Sequence, residues 1–152
     1  MSMHTVRNRP NIKNEKDRTV RIHGVPVYCI NKAAVSYYVP AKLIVAVLQT
    51  EAGWPGMESL NHNGTKDYGP MQINTIWVNR VKKYGYTQET VRDDPCVNVW
   101  IGSWILSQAI ANEASYWRGV GDYHSHTESH NQTYQRAVIQ RYQTLDRVFR
   151  TH

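Results

Sequence analysis

Two stretches of the chain are apolar on almost every helical face. The first reads Leu-Ile-Val-Ala-Val-Leu from Leu43 and turns polar just before Glu51. The second begins at Cys96 and has Val, Ile, Leu and Trp spread around the helix as far as about Glu113. A helix that is apolar all round lies inside a domain rather than on its surface. We therefore predict two buried helices, over residues 41–52 and 96–113.

The remaining patterns predict further helices and little regular strand. Residues 72–84 are amphipathic and end at Gly85, and residues 132–149 have the pattern of a final amphipathic helix. Residues with capping side chains mark three helix starts: Asn31, Thr87 and Asp94, the last followed by Pro95. Residues 20–28 suit an extended arm at best, and residues 53–67 a loop. The chain is therefore predicted to be all-α.

Glu51 is the most informative residue because it ends the first buried helix. A carboxyl group in such a place is partly desolvated, and desolvation raises its pKa. A raised pKa lets a glutamic acid keep its proton near neutral pH, as a general acid must. The alternative is a helix-end side chain that points into water, which is the usual position of a glutamate.

After a polar loop comes the segment Gly-Pro-Met-Gln-Ile-Asn, residues 69–74. Together with Glu51-Ala52-Gly53, it resembles the signature of the soluble lytic transglycosylases, peptidoglycan-cleaving enzymes with a goose-lysozyme-like fold. Pro70 stands where that family usually has Leu. Residues 94–99 and 116–125 resemble segments of a subgroup of small transglycosylases linked to conjugation, type IV secretion and type III secretion machines. The resemblance covers residues 27 to 146 in order.

The resemblance implies a compact, lysozyme-like helical domain, α+β at most, with Glu51 in a glycan-binding groove. In this family the glutamic acid protonates the oxygen between N-acetylmuramic acid and N-acetylglucosamine. It then removes the proton of the muramoyl C6 hydroxyl while a 1,6-anhydro ring closes, so that no water is consumed. The residues expected to bind the substrate are Gln72, Asn74, Tyr123, Asn63 and Met71, with Asn61 as a further possible donor.

Three of these residues have a structural alternative. Tyr123 matches the family tyrosine whose hydroxyl lies near the catalytic carboxyl, but a tyrosine at this position also fits a core. Gln72 and Asn74 match positions that face the substrate, and either could instead cap the helix that follows them. One of the two residues could also serve in both ways.

Two other functions remain open at this point. A hydrolytic muramidase would need a second carboxylate, for which Asp67 and Glu58 are the candidates. Asp67 could equally cap the following turn by accepting backbone N–H bonds. The other alternative is a peptidoglycan-binding assembly factor with little turnover.

Composition is compatible with this interpretation. The 152 residues suffice for one hydrophobic core and include five Trp and ten Tyr, whose rings either stack on sugars or fill the core. The formal net charge of +6 suits an acidic polymer such as peptidoglycan, although ordinary solvated charge explains it equally well. We expect no nucleic-acid partner. Residues 1–19 are predicted to be a flexible, basic leader, followed by the domain over residues 20–152.

Cys29 and Cys96 are the two cysteines. Two free, buried thiols would be the default for a cytosolic chain, because only an oxidising compartment maintains a disulfide. The family resemblance implies a substrate outside the cytoplasm, and so favours a Cys29–Cys96 disulfide and a periplasmic or otherwise exported protein. Neither a signal peptide nor a membrane-spanning stretch is visible in the sequence.

Three histidines, His124, His126 and His130, lie close together in the sequence. They lack a fixed helical spacing and have no cysteine nearby, which argues against a zinc site. His124 also matches a family position that has no metal role. We therefore expect neither a metal nor a cofactor.

Overall fold

Two helices that are apolar all round form the centre of the protein, as the sequence predicts. The computed structural model describes the backbone of residues 20–150 and the side chains of residues 20–147. In chain order the helices are α1 (Val27–Tyr37), α2 (Ala41–Glu51), α3 (Thr75–Val81), α4 (Gln88–Asp93), α5 (Pro95–Ala111), α6 (Tyr116–His124) and α7 (Glu128–Arg150). A 3-10 turn over Lys82–Tyr84 extends α3. The prediction of one predominantly helical domain is confirmed.

Short strands complete the architecture. Strands β1 (Arg21–Ile22) and β2 (Val25–Pro26) form a hairpin in front of α1. Strands β3 (Glu58–Leu60), β4 (Lys66–Tyr68) and β5 (Ile73–Asn74) form an antiparallel sheet in the order β3-β4-β5. In this sheet Asp67 of β4 pairs with Asn74 of β5, so these two polar residues are neighbours on adjacent strands.

The longest apolar helix, α5, is the core helix. All its residues from Cys96 to Leu106 are buried, and it packs against α1, α4 and α6. Its start is as predicted: Pro95 occupies the first turn, and Asp94 Oδ1 accepts hydrogen bonds from the backbone N–H groups of Cys96 and Val97. The second apolar helix, α2, packs against α7 and buries five of its residues, which are Leu43, Ile44, Ala46, Val47 and Leu48.

The predicted helix starts at Asn31, Gln72 and Gln132 are wrong. Helix α1 begins at Val27, since Pro26 has the extended backbone of an N-cap (φ −59°, ψ 135°) and Asn31 lies inside the helix. Helix α3 begins at Thr75, because Ile73 and Asn74 pair with β4. Helix α7 begins at Glu128, four residues before its predicted start at Gln132. Residues 20–28 form the hairpin and the start of α1 rather than an arm.

A disulfide joins Cys29 in α1 to Cys96 in α5, as predicted. The two Cα atoms are 5.4 Å apart, and 67 residues separate the cysteines along the chain. On a chain-entropy model, a loop of this size stabilises the folded state by about 4 kcal/mol. The bond therefore fixes α1 to the start of the core helix, α5.

The predicted leader, residues 1–19, lies outside the described part of the chain. Between residues 20 and 150, none of the helices combines the length and the apolar character needed to cross a membrane.

Candidate active site

Glu51 is the last residue of α2, where the helix reaches the surface of the core. Ala52 follows in the left-handed conformation (φ 56°), and its N–H bonds to the carbonyl oxygen of Leu48, so the helix ends here. The Glu51 side chain is partly buried. Its Oε2 accepts a hydrogen bond of 2.6 Å from the hydroxyl of Tyr134, which α7 carries against α2.

The surroundings of Glu51 raise its pKa to about 7. Burial is the main cause, because it disfavours the charged carboxylate, and the negative charge of Asp67 adds to the effect. The hydrogen bond from Tyr134 acts in the opposite direction, since it stabilises the ionised form. A carboxyl group with this pKa exchanges a proton near neutral pH. Because Tyr134 bonds to Oε2, the other carboxyl oxygen of Glu51, Oε1, remains available to a ligand.

Glu51 opens into a groove with a volume of about 760 Å³. The sheet and its loop form one side, and helical elements form the other side: the end of α2, α3, α5, α6 and the start of α7. Six residues predicted from the sequence to act in the site line this groove, namely Glu51, Asn61, Asn63, Gln72, Asn74 and Tyr123. Polar side chains and two aromatic rings, those of Trp77 and Tyr123, make the groove suitable for a sugar chain.

The turn at residues 69–72 packs tightly against the end of α2. A Cβ atom on Gly53 would collide with the carbonyl oxygens of Gly69 and Pro70, which explains why glycine follows Glu51 so closely. Gly69 has a φ of +71°, where side chains are strained. Fully buried Asn98 holds the turn by accepting from the Met71 N–H (2.8 Å) and donating to the Tyr68 carbonyl oxygen (2.9 Å).

The position of Met71 does not fit the predicted role in substrate binding. Its side chain is fully buried and packs directly on Gly102 of α5, where a Cβ atom would collide with its sulfur. It therefore does not reach the groove. The carbonyl oxygen of Met71 instead accepts a hydrogen bond of 2.7 Å from the hydroxyl of Tyr123.

Tyr123 and Tyr134 divide a role that the sequence predicts for Tyr123 alone. Tyr123 lies in the groove near Glu51, but its hydroxyl bonds to Met71, and the hydroxyl that bonds to Glu51 belongs to Tyr134. The two rings stack with centroids 6.4 Å apart, and the ring of His124 stacks on Tyr134 at 4.8 Å. The role of Tyr134 cannot be predicted from the sequence, because Tyr134 is 83 residues from Glu51 and belongs to an ordinary amphipathic pattern.

Gln72 and Asn74 both line the groove, and both are also used by the fold. Asn74 caps α3 by accepting from the Ile76 N–H, as one of the alternatives predicts, and its amide donates to Asp67 and to Thr65. Gln72 has a φ of 52° and donates to the carbonyl oxygen of Gly69, so its own side-chain oxygen is the acceptor that remains.

The asparagines of the loop share one hydroxyl group. Thr65 Oγ1 donates to Asn63 Oδ1 (2.7 Å) and accepts from the Asn61 amide (3.1 Å). The amide nitrogen of Asn63 is consequently its remaining donor. Both asparagines line the groove, where the sequence places them as donors for N-acetyl groups.

The two candidate second carboxylates lie in different surroundings. Asp67 lines the groove, and its Oδ1 accepts from the Asn74 side chain (2.9 Å) rather than from the backbone N–H groups of the turn. Glu58 is outside the lining of the groove and pairs with Arg92 (2.8 Å) and Lys66 (3.3 Å). Those partners hold the pKa of Glu58 below its ordinary value. Of the two, Asp67 is thus the one placed to act with Glu51.

The three histidines considered as a metal site, His124, His126 and His130, all line the groove. His124 stacks on Tyr134, burial lowers its pKa, and His126 contacts Asp122 at 3.2 Å. His130 is exposed on the first turn of α7. Within residues 20–147, no group of three or more His, Cys, Asp or Glu side chains is arranged to hold a metal ion.

The helical domain thus presents a protonatable glutamic acid, Glu51, to a polar groove with a volume of about 760 Å³. This chain belongs to the transglycosylase SLT domain family, whose model matches residues 28–144.

Curated proteins are similar to about two thirds of the chain. Protein IpgF of Shigella flexneri is 33% identical over 100 residues, which cover 65% of this chain and 66% of IpgF. Invasion protein IagB of Salmonella typhimurium is also 33% identical over 100 residues, which cover 65% of this chain and 62% of IagB. X polypeptide of Escherichia coli is 28% identical over 109 residues, which cover 68% of this chain and 64% of that protein. The chain spans just under two thirds of these relatives.

Proposed function

We propose that this chain is a lytic transglycosylase that cleaves the β-1,4 bond between N-acetylmuramic acid and N-acetylglucosamine in peptidoglycan. The observation that carries the proposal is Glu51, a carboxyl group with a pKa of about 7 that opens into a glycan-sized groove. Membership of the transglycosylase SLT domain family supports peptidoglycan as the substrate.

In the first step, protonated Glu51 gives its proton to the glycosidic oxygen as the bond to the muramoyl C1 breaks. Partial burial favours the protonated form before this step. The N-acetyl group of the substrate itself stabilises the positive charge at C1, so no protein nucleophile is needed. Glu51 is left as a carboxylate, and the Tyr134 hydroxyl, 2.6 Å from Oε2, stabilises that charge.

In the second step, the Glu51 carboxylate removes the proton of the muramoyl C6 hydroxyl. The C6 oxygen bonds to C1 and closes the 1,6-anhydro ring, which restores protonated Glu51. One residue therefore acts as acid and then as base, and no water enters the products. A pKa near 7 suits both steps, because neither proton transfer is then strongly unfavourable at neutral pH.

A hydrolytic muramidase is the second candidate, and Asp67 is the observation in its favour. Asp67 lies in the same groove, and its charge contributes to the raised pKa of Glu51. A hydrolase would use this carboxylate to activate water or to stabilise the charged sugar. The hydrogen bond that Asp67 accepts from Asn74 instead supports a role in ordering the groove wall.

Mass spectrometry of purified sacculi digested with the protein separates the functions. We expect products that end in 1,6-anhydro-N-acetylmuramic acid. Reducing N-acetylmuramic acid ends would identify a muramidase. Glycan binding without any products would identify an assembly factor.

We further propose that the protein acts in the periplasm or elsewhere in the cell envelope, where it opens the wall locally for a secretion, conjugation or pilus machine. The Cys29–Cys96 disulfide supports export, because reducing compartments do not maintain such bonds. Two observations support the association with such a machine. Residues 94–99 and 116–125 resemble segments of the secretion-linked subgroup, and the chain is similar to an invasion protein. Denaturing thiol titration of protein taken from its native compartment should find no free thiol; two thiols would contradict export.

A further inference from the structure

Arg80 is exposed on the groove wall, and its guanidinium group stacks on an aromatic ring. Its guanidinium carbon lies 4.7 Å from the ring centroid of Trp77, a cation–π distance. Trp77 in turn packs edge-to-face on the largely buried Trp104, with centroids 5.6 Å apart and an interplanar angle of 86°. Both Trp77 and Arg80 line the groove. The stack pre-positions a side chain that would otherwise be free to move.

The charge of Arg80 has no acidic partner within the described part of the chain. By contrast, Arg92 pairs with Glu58 and Asp93, and Arg118 pairs with Glu113 and Glu128. Of the described residues that line the groove, Arg80 is also the only lysine or arginine. The groove thus contains one cation whose hydrogen-bond donors are available to a ligand.

The position of Arg80 separates it from the reacting bond. A helix rises about 1.5 Å per residue, so the backbone of Arg80 lies about 9 Å along α3 from Asn74, whose side chain bonds to Asp67. We therefore expect the ligand group that reaches Arg80 to be a substituent of the glycan or part of a neighbouring sugar rather than the bond that Glu51 protonates.

Building on the proposed function, we propose that Arg80 recognises a carboxylate of the glycan strand and so selects acidic strands over neutral ones. The planar guanidinium matches a carboxylate with two parallel hydrogen bonds. Peptidoglycan offers a free lactyl carboxylate on each muramic acid that carries no stem peptide. Where a peptide is attached, the lactyl carboxyl is part of an amide bond, and the peptide supplies the carboxylates instead. A neutral oligosaccharide of N-acetylglucosamine offers none, although its backbone has the same β-1,4 linkage.

Calorimetric binding in a Glu51→Gln background tests the proposal without turnover. The variants are Arg80→Gln, which removes the charge, and Arg80→Lys, which keeps the charge and loses the planar fork. Lys82→Gln is the matched control, because it removes the same charge from an exposed side chain that does not line the groove. The ligands are chitohexaose, peptide-free peptidoglycan glycan and peptide-bearing glycan fragments.

We expect Arg80→Gln to weaken binding of a carboxylate-bearing glycan about three- to tenfold and to leave chitohexaose binding unchanged. Arg80→Lys should restore part of the affinity, and Lys82→Gln should have little effect. Weaker binding of peptide-free glycan assigns the lactyl carboxylate, whereas a loss confined to peptide-bearing fragments assigns the stem peptide.

An equal loss on chitohexaose, or no loss on either acidic glycan, would overturn the role of Arg80 and leave the proposed function intact. If the Glu51→Gln protein with intact Arg80 binds no glycan at all, the proposed function fails, and the selectivity fails with it.

Discussion

The two sides of the groove each present a carboxylate, but in different ways. On the helical side, Glu51 ends a buried helix and has the Tyr134 hydroxyl as its hydrogen-bond partner. On the sheet side, Asp67 lies in a short strand and accepts from Asn74, which also caps α3. Burial on the helical side favours the proton on Glu51, whereas the polar bonds of the sheet side order the wall. The position in the fold, not the residue type, therefore distinguishes the carboxyl group proposed as the acid and base from the one proposed to order the groove wall.

Glu51→Gln is the strongest test of this difference. The amide keeps the shape of the side chain but cannot act as the acid. Turnover on sacculi should therefore fall by about 10²- to 10⁴-fold. Product release is measured by mass spectrometry, and glycan binding should be nearly unchanged. Activity within a few-fold of the unmodified protein would exclude Glu51 as the acid.

Tyr134→Phe tests the partner on the helical side. Loss of the hydroxyl leaves Glu51 Oε2 without its hydrogen bond, and we expect activity to fall about tenfold. Because that bond lowers the pKa of Glu51, its loss should raise the pKa and move the alkaline limb of the pH–activity profile upward.

Tyr123→Phe is the matched control for Tyr134→Phe. It removes a hydroxyl that bonds to Met71 rather than to Glu51. The alkaline limb should therefore stay in place even if the loss of packing reduces activity. If Tyr123→Phe moved the alkaline limb upward more than Tyr134→Phe does, Tyr123 would be the tyrosine whose hydroxyl acts on Glu51, as the sequence predicts.

Much of the helical side could be predicted from the sequence because burial leaves a pattern. The apolar runs of α2 and α5 predict their burial, and the Asp94-Pro95 pair predicts the start of α5. The bond between Tyr134 and Glu51 leaves no such pattern, since it depends on how α7 packs against α2. Only the three-dimensional arrangement shows which tyrosine reaches the carboxyl group.

The sheet side is harder to predict from the sequence, because its structure depends on pairing between separate segments of the chain. The amphipathic pattern extends back to Gln72, yet Ile73 and Asn74 form a strand because β4 is available to pair with them. Met71 looks like a groove residue from its neighbours, but Gly102 leaves space for its side chain inside the core. Neither outcome is visible in a local stretch of sequence.

The stability of the protein should report the proton on Glu51. A carboxyl whose pKa rises from 4.5 to about 7 on folding favours the folded state while it is protonated. This contribution is complete at low pH and is lost as the pH rises from about 4.5 to about 7. Allowing for partial exposure, we expect a loss of about 1–2 kcal/mol.

Denaturant unfolding of the unmodified protein and of Glu51→Gln, compared between about pH 4 and about pH 8, measures that contribution. The glutamine variant does not titrate at this position, so the difference between the two proteins isolates the carboxyl group. We expect the variant to gain stability relative to the unmodified protein as the pH rises. A constant difference across this range would mean that Glu51 ionises in the folded protein as it does in water.

Asp67→Asn should have the smallest effect on activity, a few-fold at most. An asparagine oxygen at this position can still accept from Asn74, so the wall of the groove keeps its order. Removal of the negative charge should also lower the pKa of Glu51 slightly and move the alkaline limb downward, opposite to Tyr134→Phe. Under the muramidase alternative, the amide that replaces the carboxylate could neither activate water nor stabilise a charged sugar, and activity would collapse. The measurement is product release from sacculi, with the melting temperature as a control for folding. A loss as large as that of Glu51→Gln, in a folded protein whose residual products carry reducing ends, would assign the chemistry to both sides of the groove.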